Sequence, residues 1–141
     1  MGGRMPHAVP SNSSEFFHSF ATQRGNLTVT DKFLECAIQA AQSKKALDLL
    51  LLDLRGIASF TDSFLICSGT STPQNQAISN EIEVQLKKEG RPPAHIEGYQ
   101  QAEWILMDFS DFIVHIFSPK TRAYYNLERL WREAPRTEIS D

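Results

Sequence analysis

Two short and almost wholly apolar runs constrain the fold of this chain more than any other feature. ALDLLLLDL spans residues 46–54, TDSFLICSG spans residues 61–69, and Arg55-Gly56 turns the chain between them. Each run has the length of a strand, and neither alternates apolar and polar residues as a strand with one solvated face does. The runs therefore predict two buried strands, and a sheet containing them needs covering layers.

Helices are predicted on either side of these strands. Thr30 is placed as an N-cap, and apolar residues at helical spacing continue the first helix to about Ser43. The second helix has Thr72 as its N-cap and Pro73 at its first position, and it stops at Gly90. A third helix is predicted in TRAYYNLERLWRE, whose apolar side is formed by Tyr124, Leu127, Leu130 and Trp131.

The remaining segments complete the predicted order of elements. WILMDF and FIVHIF form a hairpin through Ser110-Asp111, and the loop 91–103 has room for a short strand around His95–Glu97. The result is an α/β fold, a single domain with a mixed β-sheet flanked by helices. We assign residues 30–135 to this domain, residues 1–29 to a mostly disordered N-terminal extension and residues 136–141 to a flexible tail.

The composition excludes several classes of protein. A length of 141 residues suits one domain, and a net charge of −3 argues against a general nucleic-acid binder. Cys36 and Cys67 lie in unrelated segments, which is typical of a reducing cytosol. No apolar run approaches the roughly 20 residues of a membrane helix, and the N-terminal residues lack the apolar stretch of a secretory signal, so we expect none. An organellar transit peptide is the minority alternative for the N-terminal extension.

Charge is distributed unevenly along the second half of the chain. Residues 94–117 contain Glu97, Glu103, Asp108 and Asp111 but no lysine or arginine. In residues 118–136 the sign reverses, and the cations are Lys120, Arg122, Arg129, Arg132 and Arg136. One interpretation is a solvated surface with chance clustering. The other is an acidic face that meets a basic partner.

The stretch DFSDFIVHIFSP (108–119) raises the question of a catalytic or metal site, because it combines two aspartates with a histidine. Alternation places His115 between Ile113 and Phe117 on one strand face, and HxH, HExxH and DxD spacings are absent. The pattern predicts a structural histidine that hydrogen-bonds a neighbouring group, and it predicts that Asp111 shapes a turn. We expect no metal and no cofactor here.

A second candidate for chemistry is the strand–loop–helix segment CSGTSTPQNQA (67–77). Backbone N–H groups at such a helix start can bind phosphate. However, neither GxxxxGK[ST] nor GxGxxG is present, so ordinary helix capping explains the loop equally well.

Trp104 is the strongest candidate for partner binding. Large aromatic residues in strands usually belong to the core, and here we weigh that interpretation equally with a surface anchor. Trp104 follows a polar loop, has Glu103 beside it and lies within the segment without lysine. An aromatic residue rimmed by acids fits a basic protein surface. Replacing an anchor with alanine would leave melting nearly unchanged, whereas replacing a core residue would unfold the chain.

Several sequence blocks resemble the RsfS/Iojap family of ribosomal silencing factors. These blocks are DSFLICSGTS followed by QxxAI (62–78), EG (97–98), WILMDFSDFIVHIF (104–117) and RAYYNLERLW (122–131). The similarity runs in order from about Thr30 to Trp131. It implies a fold similar to nucleotidyltransferase domains. The catalytic acids of such enzymes are missing, because Ser68-Gly69 is in the wrong order and PQNQAISN contains no acid.

The resemblance also implies a function and partners. It implies a non-enzymatic translational repressor that binds the large ribosomal subunit through ribosomal large-subunit protein fourteen and blocks joining with the small subunit under nutrient limitation. Free family members commonly form homodimers, and organellar relatives act in large-subunit assembly. Neither membrane binding nor sequence-specific nucleic-acid binding is implied.

The contact surface implied by the resemblance centres on Trp104 and its hairpin. Glu97, Tyr99, Glu103 and Asp108 are expected on the same side. Two alternatives stay open, namely a large-subunit assembly factor with the same surface and a nucleotide-binding or nucleotidyltransferase enzyme that uses the SGTST loop. The expected compartment is the bacterial cytoplasm, with an organellar matrix as the alternative.

Overall fold

The computed structural model describes residues 29–140, in which four helices and six strands follow one another. In chain order the elements are α1 Val29–Ser43, β1 Leu47–Asp53, β2 Ser63–Ser68, α2 Thr72–Lys88, β3 His95–Glu97, β4 Trp104–Asp108, β5 Phe112–Phe117, α3 Pro119–Tyr125, α4 Leu127–Leu130 and β6 Arg136–Ile139. The strands form one sheet in the order β3-β4-β5-β2-β1-β6. The β2–β5 pair is parallel and the other pairs are antiparallel. The predicted mixed sheet flanked by helices is confirmed.

One face of the sheet is covered by α1 and α2. The two helices bury their apolar sides against β1, β2, β4 and β5, and the helical contributors include Leu34, Ala37, Ile38, Ile78, Ile82 and Leu86. The strand residues beneath them include Leu49, Leu51, Leu65, Ile105, Met107, Val114 and Ile116. This cluster is the larger of the two cores, and it fixes which side chains of each strand point away from the helices.

The opposite face is covered over only part of its width. Leu127, Trp131 and Ala134 pack there on residues of β1, β2 and the end of β5, namely Leu50, Leu52, Phe64, Ile66 and Phe117. The β4 side chains on the same face are only half-buried, in contrast to the buried side chains that alternate with them. The β3–β4 half of this face therefore remains accessible.

The C-terminal segment corrects one prediction. Residues 136–141 were expected to form a flexible tail, but Arg136–Ile139 form β6 and pair antiparallel with β1. Thr137 and Ile139 are buried, while Arg136 and Glu138 are exposed. The alternation is that of an edge strand with one buried face. Residue 141 lies outside the described residues.

The predicted third helix is also corrected, because it is broken at Asn126. That residue adopts a left-handed conformation with φ of 46°, and its side chain accepts a hydrogen bond from the backbone N–H of Arg129. Asparagine tolerates this conformation better than most residues because its short side chain bonds locally. The break divides the residues of the expected apolar side into a buried pair and an exposed pair. Leu127 and Trp131 are buried, whereas Tyr124 is 79% exposed and Leu130 is 69% exposed.

Smaller differences concern the ends of the first two helices. α1 begins at Val29, one residue before the predicted N-cap. The N-cap of α2 is Ser71 rather than Thr72, because the Ser71 hydroxyl accepts a hydrogen bond from the backbone N–H of Gln74 at 3.1 Å. The disorder predicted for the N-terminal extension falls on residues 1–28, outside the described part of the chain. Between residues 29 and 140, no helix has the length and apolar character needed to cross a membrane.

Candidate protein-docking site

The accessible half of the sheet presents a continuous surface that we call the open face. Trp104, Leu106 and Asp108 of β4 point to this face, because the residues that alternate with them point toward α1 and α2. Strand pairing places Leu106 between Glu97 of β3 and His115 of β5. Asp108 is paired with His95 and Ile113, and Trp104 is paired with Phe117. The open face therefore comprises His95, Glu97, Trp104, Leu106, Asp108 and Ile113.

Trp104 is half-buried, and its ring is held in place on three sides. The indole N–H donates a hydrogen bond to Nδ1 of His115 at 3.0 Å. The ring centroid lies 4.9 Å from that of Phe117 and 4.7 Å from that of Tyr125. Trp104 thus has both a structural role and an accessible edge. A fixed aromatic ring of this kind loses little conformational entropy when a partner binds it.

His115 is the structural histidine that the sequence predicts. It is 3% exposed, and its ring meets Phe64 edge-on at 4.4 Å between centroids. Nδ1 accepts the hydrogen bond from Trp104, so the ring proton of the neutral imidazole resides on Nε2. Burial lowers the pKa of His115 to about 3, because the charged form would be desolvated. The predicted hydrogen bond to a neighbouring group is confirmed.

Acidic groups lie along the β3 side of the open face. Glu97 is exposed, and its carboxylate lies 3.3 Å from Nε2 of His95. One carboxylate oxygen of Asp108 accepts a hydrogen bond from the backbone N–H of Ser110 at 2.8 Å, and the other lies 3.9 Å from Nδ1 of His95. Asp108 therefore shapes the hairpin turn and also faces solvent beside Leu106.

The other two predicted site residues have different positions. The carboxylate of Glu103 accepts hydrogen bonds from the hydroxyls of Ser118 at 2.6 Å and Thr121 at 3.3 Å, which ties the start of β4 to the start of α3. Tyr99 packs against the core beneath α1 and α2, and its carbonyl accepts a hydrogen bond from the Gln76 side chain. Trp104, Glu97 and Asp108 therefore share the open face, Glu103 lies at its end, and Tyr99 lies on the other side of the sheet.

Leu106, Ile113 and Tyr125 are accessible residues of this region that were not among the predicted site residues. Leu106 and Ile113 are half-buried, and Tyr125 is 50% exposed. Strand alternation places Leu106 on the face of Trp104 and Asp108, although Leu106 was not named as a site residue. Tyr125 contacts Trp104 from the last residue of α3, whereas helical periodicity had placed Tyr124 on the apolar side.

Gly98 allows the loop after β3 to approach β4 closely. Its φ is +80°, and an added Cβ would overlap the backbone carbonyl of Trp104. Glycine is the residue that adopts this conformation without steric cost. The position of the loop relative to Trp104 thus depends on a residue without a side chain.

Polar groups of the SGTST loop form hydrogen bonds with the first turn of α2. Gln74 accepts from the backbone N–H and the hydroxyl of Thr70 at 2.7 and 2.8 Å, while its own backbone N–H donates to Ser71. These groups are therefore engaged rather than directed at a phosphate. Burial raises the pKa of the nearby Cys67 thiol to about 12, so the thiol stays protonated. Within residues 29–140, no cluster of three or more histidine, cysteine or acidic residues is suited to hold a metal ion.

Comparison with known proteins identifies related sequences. A family described as "Ribosomal silencing factor during starvation" matches residues 28–141. A relative named "Ribosomal silencing factor RsfS" from Halalkalibacterium halodurans is 43% identical over 108 residues, which cover 77% of this chain and 92% of that protein. A mouse relative, "Mitochondrial assembly of ribosomal large subunit protein 1", is 30% identical over 101 residues, covering 70% of this chain and 44% of that protein.

Solved structures are also similar to this chain. A crystal structure of a Chromobacterium violaceum protein has a TM-score of 0.73 and 29% identity, covering 81% of this chain and 92% of that one. A crystal structure from Bacillus halodurans has a TM-score of 0.68 and 42% identity, covering 77% of this chain and 98% of that one.

Proposed function

The chain belongs to the RsfS family of ribosomal silencing factors, and from this premise we propose that it represses translation by binding the large ribosomal subunit and sterically blocking its joining with the small subunit. The proposed contact is ribosomal large-subunit protein fourteen, and the proposed setting is nutrient limitation in a bacterial cytoplasm. The free chain is proposed to form a homodimer. The observation that carries the proposal is the open face, where fixed Trp104 shares a surface with exposed Glu97 and half-buried Asp108.

The chemistry of the open face suits a basic protein. Trp104, Leu106 and Ile113 supply half-buried apolar area, and Glu97 and Asp108 supply negative charge along one side. An interface commonly combines an aromatic centre with a charged rim that steers the partner. A bound protein that occupies the joining surface prevents subunit joining without any chemical step. No catalytic group is therefore required of this chain.

Reversing the charge of Glu97 tests the open face with little effect on folding. The Glu97 side chain is 68% exposed, so Glu97→Lys should leave the melting temperature nearly unchanged. It should weaken binding to purified large subunits about tenfold, because a lysine would repel a basic surface. Sedimentation of the variant with large subunits measures the bound fraction, and joining to small subunits is followed in the same gradients.

The matched control for this test is Glu89→Lys. Glu89 has the same charge, is 41% exposed and pairs with Lys32 on the helix-covered side of the domain. Glu89→Lys should bind large subunits like the wild-type chain. If Glu97→Lys also binds like the wild-type chain, the open face is not the contact surface. Equal losses for both variants would show a general effect of net charge.

A role in assembly of the large subunit is the second candidate, and it is favoured by the name of the mouse relative. Both roles use the same surface and differ in timing. Sedimentation of cell extracts distinguishes them, because a silencing factor should travel with mature free large subunits and an assembly factor with immature ones. Titration with ATP or CTP and magnesium tests the enzymatic alternative. Saturable binding with product formation would contradict the proposed mechanism.

A further inference from the structure

The corner between α3 and α4 presents a second surface, which carries basic residues where the open face carries acidic ones. We call it the basic shelf, and it comprises Lys120, Tyr124, Arg129, Leu130 and Arg132. All five residues are exposed. All except Lys120 line a shallow cleft of about 500 Å³. Lys120 lies one helical turn before Tyr124, on the same side of α3.

The cations of the basic shelf are available to a ligand. Within residues 29–140, Lys120, Arg129 and Arg132 form no ion pair. Arg122 differs, because its Nε donates to the carboxylate of Glu128 at 2.8 Å. Glu128 and Glu133 are the acids next to the shelf in sequence, and Glu128 is paired with Arg122. The three shelf cations therefore leave the local charge positive although the whole chain carries −3.

The aromatic part of the shelf results from the broken helix. The left-handed conformation of Asn126 redirects the chain, so Tyr124 points to solvent while Leu127 enters the core. Tyr124 contacts the ring of Tyr125 at 4.9 Å between centroids, and Tyr125 contacts Trp104. A highly exposed tyrosine contributes little to the core. Its ring faces are therefore accessible for stacking.

We propose that the basic shelf binds RNA, with the cations on backbone phosphates and an unpaired base stacked on Tyr124. Arginine binds phosphate through two parallel N–H groups, and aromatic side chains stack on bases without regard to sequence. Tyr125 contacts both Tyr124 and Trp104, so the shelf adjoins the open face. A chain bound to a basic protein through the open face would hold the shelf against RNA next to that protein.

Binding of RNA by the basic shelf is separate from the proposed binding of a protein by the open face. The contacts are to phosphates and to one base, so binding is independent of sequence and sensitive to salt. The test uses the full chain and a fluorescein-labelled single-stranded RNA of about 12 nucleotides with mixed sequence. Fluorescence anisotropy measures the dissociation constant. Three neutralised phosphates predict about twentyfold weaker binding when salt rises from about 50 to 200 mM.

Two variants locate the site. The double variant Arg129→Glu with Arg132→Glu should weaken RNA binding at least about tenfold and flatten its salt dependence. Tyr124→Ala should weaken binding about fivefold or more without changing the salt dependence, because stacking is not ionic. Neither change involves a buried side chain, so circular dichroism and melting should match the wild-type chain.

The matched control is the double variant Lys44→Glu with Lys88→Glu, which makes the same charge change at exposed positions following α1 and ending α2. It should retain most of the RNA affinity. Absence of RNA binding by the wild-type chain, or equal losses in both double variants, would overturn the inference. Glu97→Lys should retain RNA binding. The RNA assay contains no ribosomal protein, so its failure is distinct from failure of the proposed function.

Discussion

Replacing Trp104 with alanine should lower the free energy of unfolding by about 3 kcal/mol, in addition to weakening binding to the large subunit. The change removes the ring contacts with Phe117 and Tyr125 and leaves Nδ1 of buried His115 without its donor. Urea unfolding followed by circular dichroism measures this loss. A free energy of unfolding equal to that of the wild-type chain would show that Trp104 is only a surface anchor.

Trp104→Phe separates the hydrogen bond from the ring contacts. Phenylalanine retains an aromatic ring but has no N–H group, so Nδ1 of His115 loses its partner and stability should fall by about 1–2 kcal/mol. Combining Trp104→Phe with His115→Leu completes a double-mutant cycle. The double variant should lose less than the sum of the two single variants, because the two side chains interact directly. Additive losses would contradict the hydrogen bond.

The buried strands and the first two helices were predictable because local composition and tertiary position agree. β1 and β2 have apolar centres that are buried on both faces, and only a position between two layers suits such strands. β6 was missed because RTEI contains a single large apolar residue, Ile139. Its strand conformation depends on pairing with the edge of β1, which is a tertiary interaction that local propensity does not report.

The sequence predicts the position of a site residue only where that position depends on a single strand. Alternation along β4 places Trp104 and Asp108 on one face, as the sequence predicts. The partner of His115 depends on the register between β4 and β5, which pairs Trp104 with Phe117 and brings the indole diagonally to the imidazole. The expected position of Tyr99 was wrong, because its side chain packs against the core that lies beneath α1 and α2 rather than on the open face.

Acidification should destabilise the folded chain through His115. Burial lowers the pKa of His115 to about 3, whereas an unfolded histidine has its ordinary pKa of 6.5. Between these values the unfolded chain binds a proton that the folded chain does not bind, so stability is fully present above pH 6.5 and falls as the pH decreases. The expected loss from His115 is about 2 kcal/mol between pH 6.5 and about 4.5, measured by urea unfolding.

His115→Asn isolates this contribution from other titrating groups. Asparagine does not titrate, and its side-chain oxygen can accept the Trp104 hydrogen bond near the position of Nδ1. Burial, and next the Asp111 carboxylate, raise the pKa of Asp62, so its folded form retains a proton at higher pH and opposes the effect of His115. Subtracting the stability of His115→Asn from that of the wild-type chain at each pH removes the contribution of Asp62 and of every other group that titrates in both chains. The dependence on pH that remains after subtraction belongs to His115. A difference in stability that does not change with pH would mean that the imidazole binds a proton equally well in the folded and unfolded chain. The hydrogen bond from the Trp104 N–H to Nδ1 of His115 disfavours that protonation.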